Sequence, residues 1–193
     1  MPLFAIHRVL DPTTSESDRE LMVVRSVGFV DTPLRPVWHR TFAIQNDNQF
    51  ETWCMYEGRN AEELAWWNNQ CGVPFDEVRP VTQWRREDGL GADGTAVHWI
   101  RGCLPGDREP EELLEALRTR SEPAEARWLR FFWDAERRQA YAAVAAPDAA
   151  TALTFAEAMG LPHAQHDVVD EIRPTDFARL YENLGFAPYS GDD

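Results

Sequence analysis

The sequence predicts an α+β protein made of two diverged copies of one small module, each ordered strand, helix, strand, strand, helix, strand, with a short helix added at the C-terminus. Three observations lead there. Short β-prone runs and helical patterns alternate in that order twice over. Matching anchors recur in the same sequence in both halves. Each second helix stops on a glycine followed by an apolar residue and a proline, Gly72-Val73-Pro74 and Gly160-Leu161-Pro162.

The elements follow in order. Leu3 to Leu10 is apolar enough for a strand, and Asp11-Pro12 ends it. Ser15 or Ser17 can cap the next helix, where Leu21, Val24 and Val27 or Gly28 fall at helical spacing, and Pro33 and Pro36 close it. Val37 to Ile44 and Gln49 to Tyr56 form a hairpin around the polar turn Gln45 to Asn48. Asn60 caps the helix AEELAWWNNQC, and Val78 to Gln83 supplies the fourth strand. The charged, glycine-rich stretch 84–95 reads as a linker. The order then repeats with Val97 to Leu104, the amphipathic EPEELLEALRTR, the hairpin strands RWLRFFW and QAYAAVA, the helix DAATALTFAEAMG and the strand Val168 to Pro174. Thr175 and Gly185 bracket the added helix, and SGDD reads as a frayed tail. The expected organisation is module 1 over 1–83, linker 84–95, module 2 over 96–174, and helix and tail over 175–193.

Composition narrows the function. The formal charge is −14 and the pI about 4.7, which would repel a phosphate backbone, so neither nucleic acid nor an anionic membrane is expected as a partner. All 19 basic residues are arginine; without lysine there is no Schiff base for pyridoxal phosphate and no phosphate-loop lysine. Cys54, Cys71 and Cys103 are scattered and odd in number, indicating neither a disulfide framework nor a structural zinc site. With no apolar stretch of signal-peptide or membrane-spanning length, a cytoplasmic protein is expected. Gly89 to Gly94 spells GxGxxG, but it follows a charged run and precedes a strand, whereas a dinucleotide fingerprint needs a strand before and a helix after.

Several anchors carry a family resemblance: Leu104-Pro105-Gly106, Arg127-Trp128-Leu129-Arg130, Ala146-Pro147-Asp148, Gly160-Leu161-Pro162 and Asp170-Glu171-Ile172-Arg173-Pro174. Their counterparts in the first half include Trp38-His39-Arg40, Gly72-Val73-Pro74 and Asp76-Glu77-Val78-Arg79-Pro80. At these positions the chain resembles the small bacterial ferredoxin-like domain family of unknown function, some members of which are described as nickel-binding. The resemblance spans nearly the whole chain, once per half. It implies two tandem ferredoxin-like modules paired as an intramolecular dimeric α/β-barrel, with a cavity between two sheets. The chain departs from the family in the first strand, where a frequent Glu-Arg reads His7-Arg8 and Arg101-Gly102, and on the second helix, where a typical His is replaced by Trp67 and Phe155.

Strand alternation puts Ala5, His7 and Val9 on one face and Ile6, Arg8 and Leu10 on the other. If helices cover the second face, His7 and Arg101 enter the cavity with Trp99, and simple alternation adds Trp38 and Arg40 together, and likewise Trp128 and Arg130. Glu77 and Arg79 match Glu171 and Arg173. Aromatic walls with Arg, His and Glu suit a planar or anionic small molecule; the same groups could instead pair with one another and only satisfy a polar interior. The expected ligand-binding residues are Trp38, Arg40, Glu77, Trp99, Arg101, Arg130 and Glu171. The resemblance places first and last strands side by side, so His7 and Glu77 could ligate a metal, nickel by family, although two ligands do not define a site. His163, His166 and Asp167 read as a solvated loop. Three functions stay open: a small-ligand or nickel-binding protein, a cofactor-independent cyclase, isomerase or monooxygenase with His7 as acid or base, and an interaction module. A homo-oligomer is compatible with each.

Overall fold

A computed structural model describes residues 1–28, 36–46, 49–85, 95–106, 108–119, 125–183 and 185. Among them the chain is α+β, as expected, with eight strands and five α-helices. Pro33, the turn residues Asp47 and Asn48, most of the linker with Gly89 to Gly94, and the tail lie outside the described residues. No described helix is long and apolar enough to cross a membrane.

The first half contains β1 (Leu3–Leu10), α1 (Glu16–Gly28), β2 (Val37–Asn46), β3 (Gln49–Glu57), α2 (Ala61–Cys71) and β4 (Glu77–Arg85). The second contains β5 (Val97–Cys103), α3 (Pro110–Thr119), β6 (Arg127–Asp134), β7 (Gln139–Ala145), α4 (Ala149–Met159) and β8 (Gln165–Ile172). A 3-10 turn (Pro174–Phe177) and α5 (Ala178–Asn183) close the chain. Helix ends form where the local chemistry directs. Asn60 Oδ1 accepts from the Glu63 amide at 2.8 Å and Asp148 Oδ1 from the Thr151 amide at 2.8 Å, satisfying amides that have no partner inside the helix. Gly72 and Gly160 end α2 and α4 at φ 64° and 93°, a left-handed region that costs a side chain. Of the two candidate caps for α1, Ser15 is the one used, its hydroxyl accepting from the Asp18 amide at 3.2 Å.

The chain divides into two compact units. Unit 1 comprises Met1–Pro80 and Asp170–Asp193, and unit 2 comprises Val81–Val169; the divisions fall inside β4 and β8. In unit 1, β3 pairs with β1 and β2, and β2 pairs with the end of β8, Asp170 to Ile172. The start of β4 lies beside β1, where the Asp76 amide donates to the His7 carbonyl at 3.0 Å. In unit 2, β7 pairs with β5 and β6, β5 pairs with the start of β8, and β6 pairs with the end of β4. All these ladders are antiparallel.

Three expectations are corrected. Gln165, His166 and Asp167 are not loop but the first residues of β8, paired with Arg101, Ile100 and Trp99; backbone pairing does not require apolar side chains. The C-terminal element is capped at Arg173, whose amide donates to Asp176 Oδ2 at 2.7 Å, two residues before the expected Thr175. Trp38 does not share a face with Arg40: the register shifts between them, Trp38 lying opposite Tyr56 and Arg40 opposite Met55. A bulge of this kind sets two residues against one and reverses the alternation beyond it. The same shift separates Trp128 from Arg130.

The helix-covered side of unit 2 is one continuous cluster that includes Ile100, Leu113, Phe131, Val144, Phe155 and Leu161. His98 is buried on this side. Its Nε2–H donates to the Ala146 carbonyl at 3.2 Å, leaving Nδ1 buried without a partner. Burial, and secondarily the nearby His166, holds the His98 imidazole below its ordinary pKa, against the opposing effects of the Ala146 bond and Asp148. Below the pKa of the unfolded imidazole, about 6.5, the unfolded chain takes up a proton that the native state refuses. Stability therefore falls as pH drops from that value towards the depressed native pKa, by up to about 1.4 kcal/mol per pH unit. We expect urea titrations to show this slope and His98→Gln to remove it; an unchanged slope in the variant would contradict the assignment.

Candidate functional site

In unit 1, α2 packs over the face of the sheet that bears Phe4, Ile6, Cys54 and Tyr56, through Leu64, Trp67 and Cys71. The residues between them in sequence therefore project to the opposite face. Register places His7 opposite Trp53, Val9 opposite Glu51, Phe42 opposite Trp53 and Glu171 opposite Phe42. This face holds a connected polar group inside an aromatic setting.

His7 is its centre. Nε2 lies 3.0 Å from Glu51 Oε1 and Nδ1 3.5 Å from Glu77 Oε1. The ring stacks on Trp53 with centroids 4.3 Å apart and planes 25° apart. Glu51 is only 2% exposed, and its Oε1 also accepts from Trp53 Nε1–H at 2.6 Å. A carboxylate only accepts, so the bond to Glu51 places the proton of neutral His7 on Nε2 and leaves a lone pair on Nδ1. Glu77 Oε1 in turn accepts from the Arg79 guanidinium, which also lies 5.5 Å from the Trp53 ring centroid. At the other edge Arg40, 1% exposed, donates to Glu171 Oε1, and Arg173 donates to Glu171 Oε2 at 3.2 Å.

The expected residues thus fall into three places. His7, Arg40, Glu77 and Glu171 share the helix-free face of unit 1. Trp99, Arg101 and Arg130 share the corresponding face of unit 2, where Trp99 lies against Phe132 and Tyr141, with ring centroids 5.8 and 5.9 Å apart, and Arg101 donates to Asp167 Oδ2 at 2.6 Å. Trp38 lies on neither: it packs on the helix side of unit 1 near Phe177 and donates to Thr41 Oγ1 at 3.1 Å. Glu51 and Trp53 are site residues that the sequence pattern does not single out. The one signal they carry is a carboxylate within the largely apolar run QFETWCMY, two residues from a tryptophan and so on its face.

His7 and Glu77 do not fit a nickel centre. The two imidazole nitrogens face different carboxylates, and the Glu77 oxygen nearest the ring already accepts from a guanidinium. Ligands must converge on one point, and among the described residues no group of three His, Cys, Asp or Glu side chains does so. Asp167, beside His166, accepts from Arg101 at 2.6 Å.

No protein-family model matches the chain. No curated protein matches it. Among solved structures it is similar to a protein of Fusobacterium nucleatum subsp. nucleatum described as a "putative monooxygenase", with 8% identity and a TM-score of 0.50 over 89% of this chain and 93% of that one. A Lactobacillus acidophilus protein described in the same words aligns with 11% identity and a TM-score of 0.43 over 88% and 93%. The first likeness is one of fold, and it agrees with the α+β class.

Proposed function

We propose that the chain is a cofactor-independent acid–base enzyme in which His7 Nδ1 exchanges a proton with a small planar substrate. The observation that carries this reading is the Glu51–His7–Glu77 arrangement: a buried carboxylate sets the tautomer and would stabilise the imidazolium, while the second carboxylate can receive the Nδ1 proton. Trp53 fixes the ring plane. Arg79 supplies positive charge beside Glu77, where it would steady a developing anion. Unit 2 supports a single site. Register places Arg101, Tyr141 and Gln139 where unit 1 has His7, Trp53 and Glu51, and Tyr141 O–H donates to Gln139 Oε1 at 2.7 Å as Trp53 does to Glu51. The framework is present in both units, but the titratable pair stands only in unit 1.

This correspondence, the paired bulges and the paired helix caps support reading the two halves as diverged ferredoxin-like modules, 1–83 and 96–174, of the dimeric α/β-barrel type. The monooxygenase description of the structural neighbour makes oxidation of an acidic C–H substrate the reaction to test first, an activated CH₂ and O₂ giving C=O and water. Oxygen uptake should be followed with a panel of 1,3-diketones, naphthols and hydroquinones. The expected result is turnover of at least one compound, with His7→Asn slower by about 10²–10⁴-fold. Binding without turnover across the panel, or full activity in His7→Asn, would overturn the assignment in favour of a ligand-binding role.

A further inference from the structure

In unit 1 the buried residues between sheet and helices fall into two clusters, both of which the half-buried Met22 of α1 touches. Ile6, Cys54, Tyr56, Leu64, Trp67 and Cys71 belong to one apolar cluster, and Leu10, Ala43 and Phe50 to another. Arg8 on β1 and Thr52 on β3 sit between them in their strands and directly opposite each other in register. Both are buried, at 4% and 6% exposure, and the fully buried Asn68 of α2 reaches Arg8. Arg8 Nη2–H donates to Asn68 Oδ1 at 2.6 Å, and Asn68 Nδ2–H donates to the Leu64 carbonyl at 2.8 Å.

What this group lacks is a counter-charge. Among the described residues no carboxylate pairs with Arg8, and Arg8 Nε and Thr52 Oγ1 are buried with no hydrogen-bond partner. An unpaired buried guanidinium is costly. The neighbouring acids cannot supply the charge at neutral pH, because burial pushes the Cys71 thiol up to about 11 and raises the Tyr56 phenol further.

Unit 2 shows that packing does not demand this polarity. Gly102 and Ala140 pair there as Arg8 and Thr52 do in unit 1. Ala156 precedes the helix-ending Gly160 as Asn68 precedes Gly72, and Met159 stands where Cys71 does. A side chain at Gly102 would meet Leu161, whose Cβ lies 3.4 Å from the added atom, so apolar atoms occupy the space in question. The result is one continuous core.

We propose that Arg8, Thr52 and Asn68 form an internal site for a small monovalent anion of the halide, nitrate or formate class. The anion accepts from Arg8 Nε–H and Thr52 Oγ–H, while Asn68 holds the guanidinium in place through Nη2. Arginine suits this role because it stays charged when buried and offers several donors at fixed angles. With a net charge of −14, the surface disfavours anions, so a saturable response reports on the interior.

The test is thermal unfolding of the intact chain at constant ionic strength, with sodium gluconate replaced stepwise by sodium chloride, nitrate or formate. A saturable rise in Tm of about 5 °C is expected for at least one of the small anions. Arg8→Met should abolish the rise. Thr52→Val, which removes only a hydroxyl, should weaken the apparent affinity about tenfold and keeps the test decisive if Arg8→Met does not fold. Bromide soaked into crystals should give an anomalous peak beside Arg8 Nε. A flat Tm in all three anions, an equal rise in Thr52→Val, or, where chloride raises Tm, no bromide at Arg8 would each overturn the proposal.

Discussion

Glu51→Gln is expected to slow the proposed reaction by about 10²–10⁴-fold while leaving the fold intact. The substitution is close to isosteric, and its amide oxygen can still accept from Trp53 Nε1–H and His7 Nε2–H, both of which meet Glu51 Oε1. Unit 2 already carries a glutamine at the corresponding place, where Gln139 Oε1 accepts from Tyr141 O–H, so an amide suits the strand. What is lost is the negative charge that would stabilise His7 as it takes up a proton. The loss should appear in kcat with KM little changed, because the charge matters most when the imidazolium forms. Denaturant midpoints close to the wild type would separate this effect from unfolding. A kcat within threefold of the wild type would show that Glu51 is only a structural partner of Trp53.

The largest effect on stability is expected from Phe131→Ala. Phe131 is fully buried in the continuous core of unit 2, opposite Trp84 in register, with ring centroids 5.6 Å apart. Removing its ring forfeits the transfer free energy of the side chain and leaves a cavity bounded by strands on one side and helices on the other, which can relax only partly. The expected cost is about 3–5 kcal/mol, lowering Tm by roughly 10 °C in a chain of this length. In urea the midpoint should fall with an unchanged m-value. A cost below about 1 kcal/mol would mean that the cluster closes over the gap, contrary to close packing of that core.

Much of the candidate site is legible in the residue pattern, and the exceptions have specific causes. His7 on β1, Arg40 on β2, Glu77 on β4 and Glu171 on β8 lie on one face of unit 1, each directed there by alternation within its own strand, which is local and dependable. Trp38 escapes the same rule through the bulge beside His39, which nothing in Trp38-His39-Arg40 announces. Glu51 does not stand out because its importance lies in pairing: only the register of β1 against β3 brings it to His7, 44 positions away in sequence. The polarity of His163 to Asp167 suggests a loop, yet the last three residues from Gln165 extend β8 along β5.

The α+β class, the order of the strands and helices, and the ends of α2 and α4 are written in the sequence, because these depend on short-range chemistry: alternation, helical spacing, an Asn or Asp cap, a left-handed glycine. The sequence also limits the chemistry to what arginine, histidine and carboxylates can do without lysine. Which faces the bulged residues take, which carboxylate holds His7, and the burial of Arg8 without a counter-charge emerge only in the folded chain. Each of these depends on residues distant in sequence meeting at one place. A charge or a ring in the chain has no partner until strand register and helix packing bring one to it.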